Sequence, residues 1–265
     1  PMLGPQQKAH FETFGLLVLR QVFSPDKMEA IAREHEAIMT ADRQGRPFPA
    51  DQRQAVYGGV EQSELLRQLL EDDTIYGAME LLLGPGFIWQ GSDVNLFVGD
   101  TSWHSGAEYG KILRGIKMAL YLDPVRKETG CLRVVPGSHL EPLHSSLEPL
   151  RNAAPDSSPF DVAPDEVPNM AVESDPGDVL IFTEAVWHGS FGGRTGRRMF
   201  TLNFMAKPET REQIEYIKAL YKGDLEFMKE QQHTRRDWIY GEEFLSSDRP
   251  RIKSMVAPLI ELGLR

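Results

Sequence analysis

Between residues 87 and 205 the chain is a succession of short segments rich in branched and aromatic residues, cut apart by turn residues. No other feature of the sequence limits the fold as much. The segments are 87–98, 115–122, 131–135, 179–182 and 197–205, and the stretches 127–130 and 174–177 supply turn chemistry. Such spacing predicts strands of a sandwich or barrel. Helical patterns flank this β region. Ser24-Pro25 is a cap followed by proline at the first helical position, and Met28, Ile31, His35, Ile38 and Met39 recur at helical spacing. Residues 14–23 read as a short strand, 41–59 as a polar loop, and 61–83 as one helix stopped by Gly84-Pro85-Gly86. Residues 144–172 are rich in Pro, Ser and Asp without period, and 209–230 return to a helical pattern. The expected organisation is one domain over 1–265: a helical part at about 10–86, a β core at about 87–206, and a helical extension at 207–265.

Composition removes several function classes. Lys and Arg number 29 against 39 Asp and Glu, a formal charge of −10, which disfavours a nucleic-acid polymer as partner. A single cysteine, Cys131, excludes an internal disulfide framework and a zinc site built from several thiolates. No long apolar run predicts a membrane span, and the first residues lack a signal-peptide pattern, so a cytoplasmic location and no membrane partner are expected.

Two histidines stand at predicted strand ends: His104 in Thr-Ser-Trp-His-Ser-Gly and His188 in Val-Trp-His-Gly-Ser. Between them lies Gly-Cys-Leu-Arg-Val-Val-Pro-Gly-Ser-His (130–139), followed by Pro-Gly-Asp-Val-Leu-Ile-Phe (176–182). Arg197 comes nine residues after His188. In this order the motifs resemble the phytanoyl-CoA dioxygenase family of non-haem Fe(II) and 2-oxoglutarate enzymes, over about residues 10–206. The resemblance implies a mainly β fold with flanking helices, its core a double-stranded β-helix (a jelly roll, cupin-like). It also implies iron held by two histidines and a carboxylate. Carried over, His104 and His188 are the metal ligands and the carboxylate falls at position 106, where this chain has Gly106.

A glycine there leaves one metal position without a protein ligand. The same His-x-Gly pattern is similar to that of 2-oxoglutarate-dependent halogenases, where chloride fills the place. The resemblance thus implies Fe(II), 2-oxoglutarate, O₂ and chloride as cofactors, and chlorination of an unactivated C–H of a small free-standing metabolite. Two alternatives stand: a hydroxylase of the same family, with Glu108 or water in the third position, and a non-catalytic jelly-roll binding protein. The 2-oxoglutarate carboxylate needs a bidentate cation, supplied by Arg197 or by its neighbour Arg198. Lys111, Arg114, Lys117 and Arg133 cluster in sequence around the proposed iron site and suggest a phosphate- or carboxylate-bearing substrate such as a nucleotide. Asn95 and Asn203, on predicted strands, are candidate hydrogen-bonding residues. Trp103 and Trp187 flank the histidines and are expected to pack the shell that orients the rings.

Overall fold

The computed structural model describes residues 3–106, 112–154, 156–230 and 241–264. Pro5–Phe14 forms α1, ended by Gly15 at φ 76°, whose N–H bonds the Phe11 carbonyl at 2.7 Å. The first strand, β1 (Leu16–Leu19), therefore starts after a left-handed turn that glycine makes without strain. Helix α2 (Pro25–Asp42) begins as the sequence predicts, with the Ser24 hydroxyl accepting from the Lys27 N–H. The expected helix over 61–83 is broken. Single turns at Val60–Gln62, Glu64–Arg67 and Gln68–Glu71 precede α3 (Asp73–Leu83). Breaks fall at Ser63, whose hydroxyl accepts from the Leu66 N–H, and at Asp72, whose carboxylate caps the Thr74 and Ile75 N–H groups; both have extended backbones, so their side chains compete with a continuous helix.

The remaining strands are β2 (Gln54–Tyr57), β3 (Ile88–Phe97), β4 (Thr101–His104), β5 (Gly115–Tyr121), β6 (Leu132–Val134), β7 (Met170–Val172), β8 (Val179–Thr183), β9 (His188–Ser190) and β10 (Arg197–Met205). Among the described residues they make two antiparallel sheets, a larger one in the order β1-β8-β5-β10-β3-β2 and a smaller one in the order β4-β9-β6-β7. This is the two-sheet jelly-roll arrangement that the sequence leads one to expect. After β10 come α4 (Arg211–Glu230) and α5 (Pro250–Glu261).

Both faces of the larger sheet are covered, and strand parity decides what each face does. On β10, Phe200, Leu202 and Phe204 pack with Met118, Leu120 and Ile181 under the helices. Each such fully buried side chain contributes about 1.5–3 kcal/mol. The alternate residues face the smaller sheet, where Met199, Ala119, Tyr121, Leu180 and Phe182 meet Leu132, Val134 and Val172. Polar residues of this inner face, rather than of the helix-covered one, lie between the sheets and build the site.

Candidate active site

His104 and His188 are cross-strand partners on β4 and β9, with ring centroids 4.1 Å apart. Each ring is held the same way. His104 Nδ1 lies 2.9 Å from the Ser102 carbonyl and His188 Nδ1 lies 2.8 Å from the Val186 carbonyl. A carbonyl can only accept, so each Nδ1 carries the proton and each Nε2 keeps a lone pair. Burial pushes the His104 pKa down. Burial and then the adjacent His104 push that of His188 well below the usual range. Two neutral, oriented imidazoles side by side could supply two ligands to a divalent metal.

The tryptophan just before each histidine packs in a separate apolar cluster and fixes the strand. Trp103 donates its ring N–H to the Pro164 carbonyl at 2.6 Å, and Trp187 donates to the His144 carbonyl at 3.0 Å. Both indoles are fully buried. The Trp187 backbone N–H also meets the Ser138 hydroxyl at 2.8 Å, tying the Pro-Gly-Ser-His turn to β9. The irregular stretch 144–172 thus backs the histidine strands. Gly106 follows β4, its N–H donating to the Glu184 carbonyl at 2.7 Å. Among the described residues no third His, Cys, Asp or Glu completes a metal cluster with the pair. Glu108 and Lys111 lie outside the described residues.

A cavity of about 130 Å³ opens on the pair, lined on its other walls by Tyr121, Ser190, Arg197, Met199 and Thr201. Arg197 is only 6% exposed, yet its guanidinium finds a single hydroxyl partner, Ser190 Oγ at 3.2 Å, and its Nε and Nη1 have no hydrogen-bond partner. Burial lowers its pKa, though a guanidinium remains charged. A buried cation with two unsatisfied donors is costly unless an anion joins it, and a carboxylate matches its fork. Gly130 and Gly193 make room for it: a Cβ on either would lie within 2.4 Å of Arg197 Nη1. Arg198, one residue on and on the opposite face, pairs instead with Asp123 through Nε at 2.9 Å. Burial pushes the Tyr121 phenol up to about 12, so it stays protonated.

A second cavity of about 260 Å³ adjoins the first and shares Arg53, Asp93 and Lys117 with it. Lys117 points between the sheets, its Nζ 3.8 Å from Glu184 Oε1. Burial works against its charge, but Glu184 and Asp93 outweigh that and raise its pKa. Asn203 lines this cavity, with its Oδ1 buried and unpartnered. Opposite it, the β3 register slips between Gly91 and Trp89, and the bulged residue, Gln90, joins the cavity wall. Asn95 lines neither cavity but holds Arg53, which lines both, accepting from its Nε at 2.9 Å.

Two of the clustered cations lie elsewhere. Arg114 is exposed and caps the Leu82 carbonyl at 2.9 Å. Arg133, between inward Leu132 and Val134, takes the outer face of β6 and donates to Asn169 Oδ1 and the Lys127 carbonyl. Sequence reasoning did not single out Arg53, Asp93, Glu184, Tyr121, Ser190, Thr201 or Asp224. For Tyr121 and Thr201 a signal existed, because they stand an even number of positions from Lys117 and Arg197 on their strands.

The sequence matches the profile of the phytanoyl-CoA dioxygenase family (PhyH) over residues 11–200. The chain belongs to that family. It is 24% identical over 220 residues to the ectoine dioxygenase of Sphingopyxis alaskensis, covering 73% of this chain and 72% of the relative. An uncharacterized protein of Mycobacterium tuberculosis is 25% identical over 137 residues. That match covers 49% of this chain but 43% of the relative, so less than half the relative's length is spanned. Among solved structures, HygX from Streptomyces hygroscopicus with nickel, 2-oxoglutarate and hygromycin B bound aligns with a TM-score of 0.61 at 21% identity, over 78% of this chain and 87% of that one. The fold is therefore that of the Fe(II)/2-oxoglutarate oxygenases, and no helix among the described residues is long and apolar enough to cross a membrane.

Proposed function

We propose that this protein is an Fe(II)- and 2-oxoglutarate-dependent halogenase that acts on a small molecule. The observation that carries the reading is the pair of neutral Nε2 atoms on His104 and His188 with Gly106 at the family's carboxylate position. The residues present fit the cofactors: two oriented imidazoles for iron, and the unpaired guanidinium of Arg197 for the far carboxylate of 2-oxoglutarate. When bound, iron with 2-oxoglutarate and O₂ supplies the oxidising power that removes a substrate hydrogen, and a halide bound beside it would be the group transferred.

The protein's part is positional. His104 and His188 keep their rings fixed through the Ser102 and Val186 carbonyls. Arg197, with Ser190 and the Tyr121 phenol on the same cavity wall, fixes the co-substrate's orientation by hydrogen bonds at its carboxylate end. Gly106 contributes no side chain and so leaves an anion site beside the histidines. The adjoining cavity presents the substrate carbon. An anionic substrate does not follow from the cations: of the three described members of the cluster only Lys117 reaches the cavities, and Glu184 already faces it.

The second reading, a hydroxylase of the same family, keeps every role except the halide's, and the ectoine dioxygenase relative favours it. The experiment that separates the two is anaerobic loading with Fe(II) and 2-oxoglutarate, followed by the visible charge-transfer band as chloride is added. A halogenase gives a band that shifts with chloride, and Gly106→Asp abolishes the shift. A band indifferent to chloride in the wild-type protein refutes the halogenase and leaves the hydroxylase.

A further inference from the structure

The second cavity has a charge pattern of its own. Asp93, Glu184 and Asp224 face it with two cations, Arg53 and Lys117. Both cations are engaged. Arg53 reaches Asp93 Oδ2 at 3.2 Å, binds the Asn95 amide oxygen and lies over the Phe97 ring. Lys117 stands 3.8 Å from Glu184 and is drawn also by Asp93. Asp93 is further held by the Thr201 hydroxyl and by Asn95 Nδ2 at 2.7 Å. The surplus charge is a carboxylate, Asp224 on α4, which shares a hydrogen bond with the Gln90 side chain and whose charged neighbours are Glu184 and Lys117.

Other features of the wall have the same preference. Asn203 Nδ2 donates to Thr201 Oγ1 at 3.3 Å, while its Oδ1 is buried and lacks a donor. Tyr57 and Phe227 close the cavity, their rings in a T-shaped contact at 6.0 Å, and aromatic faces attract cations. A phosphate or carboxylate entering here would meet like charges and an orphaned acceptor. A group with positive charge and N–H donors would satisfy all of them.

We propose that the substrate carries a protonated amine, seated in this cavity against Glu184, Asp224 and the Asn203 amide oxygen, with the carbon to be modified directed toward His104 and His188. This rests on the reading of the histidine cavity as the iron and 2-oxoglutarate site. It deepens that reading by naming the substrate's chemical class.

The test uses the full chain loaded anaerobically with Fe(II) and 2-oxoglutarate. Three probes of one shape are titrated calorimetrically: cyclohexylamine, cyclohexanecarboxylate and cyclohexyl phosphate. The amine is expected to bind with the other two inert. Glu184→Gln combined with Asp224→Asn should weaken amine binding by about tenfold or more, since a partly buried charge pair is lost. Glu226→Gln, an exposed carboxylate on the same helix, should leave it unchanged. Binding of either anion as tightly as the amine overturns the proposal. So does binding of no probe, or amine affinity unmoved in the double variant. The charge-transfer band, read in the same samples, tests the cofactor reading separately. Its absence would sink that reading while the calorimetry still decides the charge of the ligand.

Discussion

Replacing Arg197 by Met gives two effects of opposite sign, and the structure sets both. In the cofactor-free protein the guanidinium is buried with one hydroxyl as its hydrogen-bond partner, the Phe97 ring 5.3 Å away and the Asp100 carboxylate acting on it only through space. Removing a buried charge that no carboxylate contacts directly, in favour of an apolar side chain of similar length, is neutral or stabilising, by up to a few kcal/mol. The variant should therefore melt at or above the wild-type temperature. On the proposed cofactor reading, 2-oxoglutarate in the iron-loaded protein would complete the guanidinium's hydrogen bonds, and removing one partner of such a buried pair costs about 3–5 kcal/mol. That is a loss of roughly two to three and a half decades in affinity. At hundredfold excess over Kd, ligand binding stabilises the wild type by about 2.7 kcal/mol. For a chain of this size that is a rise of roughly 5 to 10 °C in Tm, which should vanish in Arg197→Met. Arg198→Met is the internal control. It loses only a half-exposed pair with Asp123, worth about 0–1 kcal/mol, and should retain the 2-oxoglutarate response. Thermal melts with and without 2-oxoglutarate decide the matter. An Arg197→Met protein that is markedly less stable without ligand, yet still gains stability from 2-oxoglutarate, would refute the assignment.

Three more perturbations follow from the same contacts. Gly193→Ala puts a methyl 1.9 Å from the Gly99 carbonyl oxygen and 2.4 Å from Arg197 Nη1, so it should weaken 2-oxoglutarate binding by displacing the guanidinium, as titration of the charge-transfer band would show. Gly130→Ala adds backbone strain at φ 84° to a similar collision and should also lower Tm, read by calorimetric melting. Asp224→Asn tests linkage. Burial, chiefly, and then Glu184 raise the Asp224 pKa to about 6, above its unfolded value. The folded chain therefore holds this proton more tightly, and the charge becomes a burden as pH rises from about 4 to 6. The Asn variant should exceed wild type by about 1–3 kcal/mol in urea unfolding at pH 8 and match it near pH 3.5. An equal gain at both pH values would contradict the burial account.

Much of the architecture was legible because strand parity and cap chemistry are local. The strand at β10 has the expected bounds, 197–205, and the Ser24-Pro25 start of α2 lies where its cap places it. The two histidines were legible as a pair because each ends a short Trp-His segment. The strands carrying them, β4 and β9, were not, since four and three residues hold too little pattern to outweigh their polar neighbours. β2 was hidden in a polar stretch for the same reason: its four residues pair with β3 through the backbone, which any sequence can do. The cations show the other limit. Arg133 and Lys117 look equivalent in sequence, yet one faces out and the other in, because which face of a strand meets the second sheet is a tertiary fact. Arg53 reaches the site from far upstream by bonding Asn95 and Asp93, and no spacing rule encodes that.

Strand β10 carries Arg197 on the wall of the histidine cavity and Asn203, six residues on, on the wall of the second cavity, the proposed seats of co-substrate and substrate. An extended strand rises about 3.3 Å per residue, so the two side chains leave the backbone roughly 20 Å apart. Being hydrogen-bonded on both edges, to β3 and β5, that strand cannot stretch or shorten. It acts as a measuring rod. A substrate gripped at the Asn203 end, as proposed, would have its chain paid out along a fixed gauge, and the atom that comes level with the histidine pair would be chosen by counting bonds from the grip. Selectivity for one carbon over its neighbour then needs no recognition of that carbon at all, and moving the grip by one inward position, two residues, would redirect the chemistry along the same molecule.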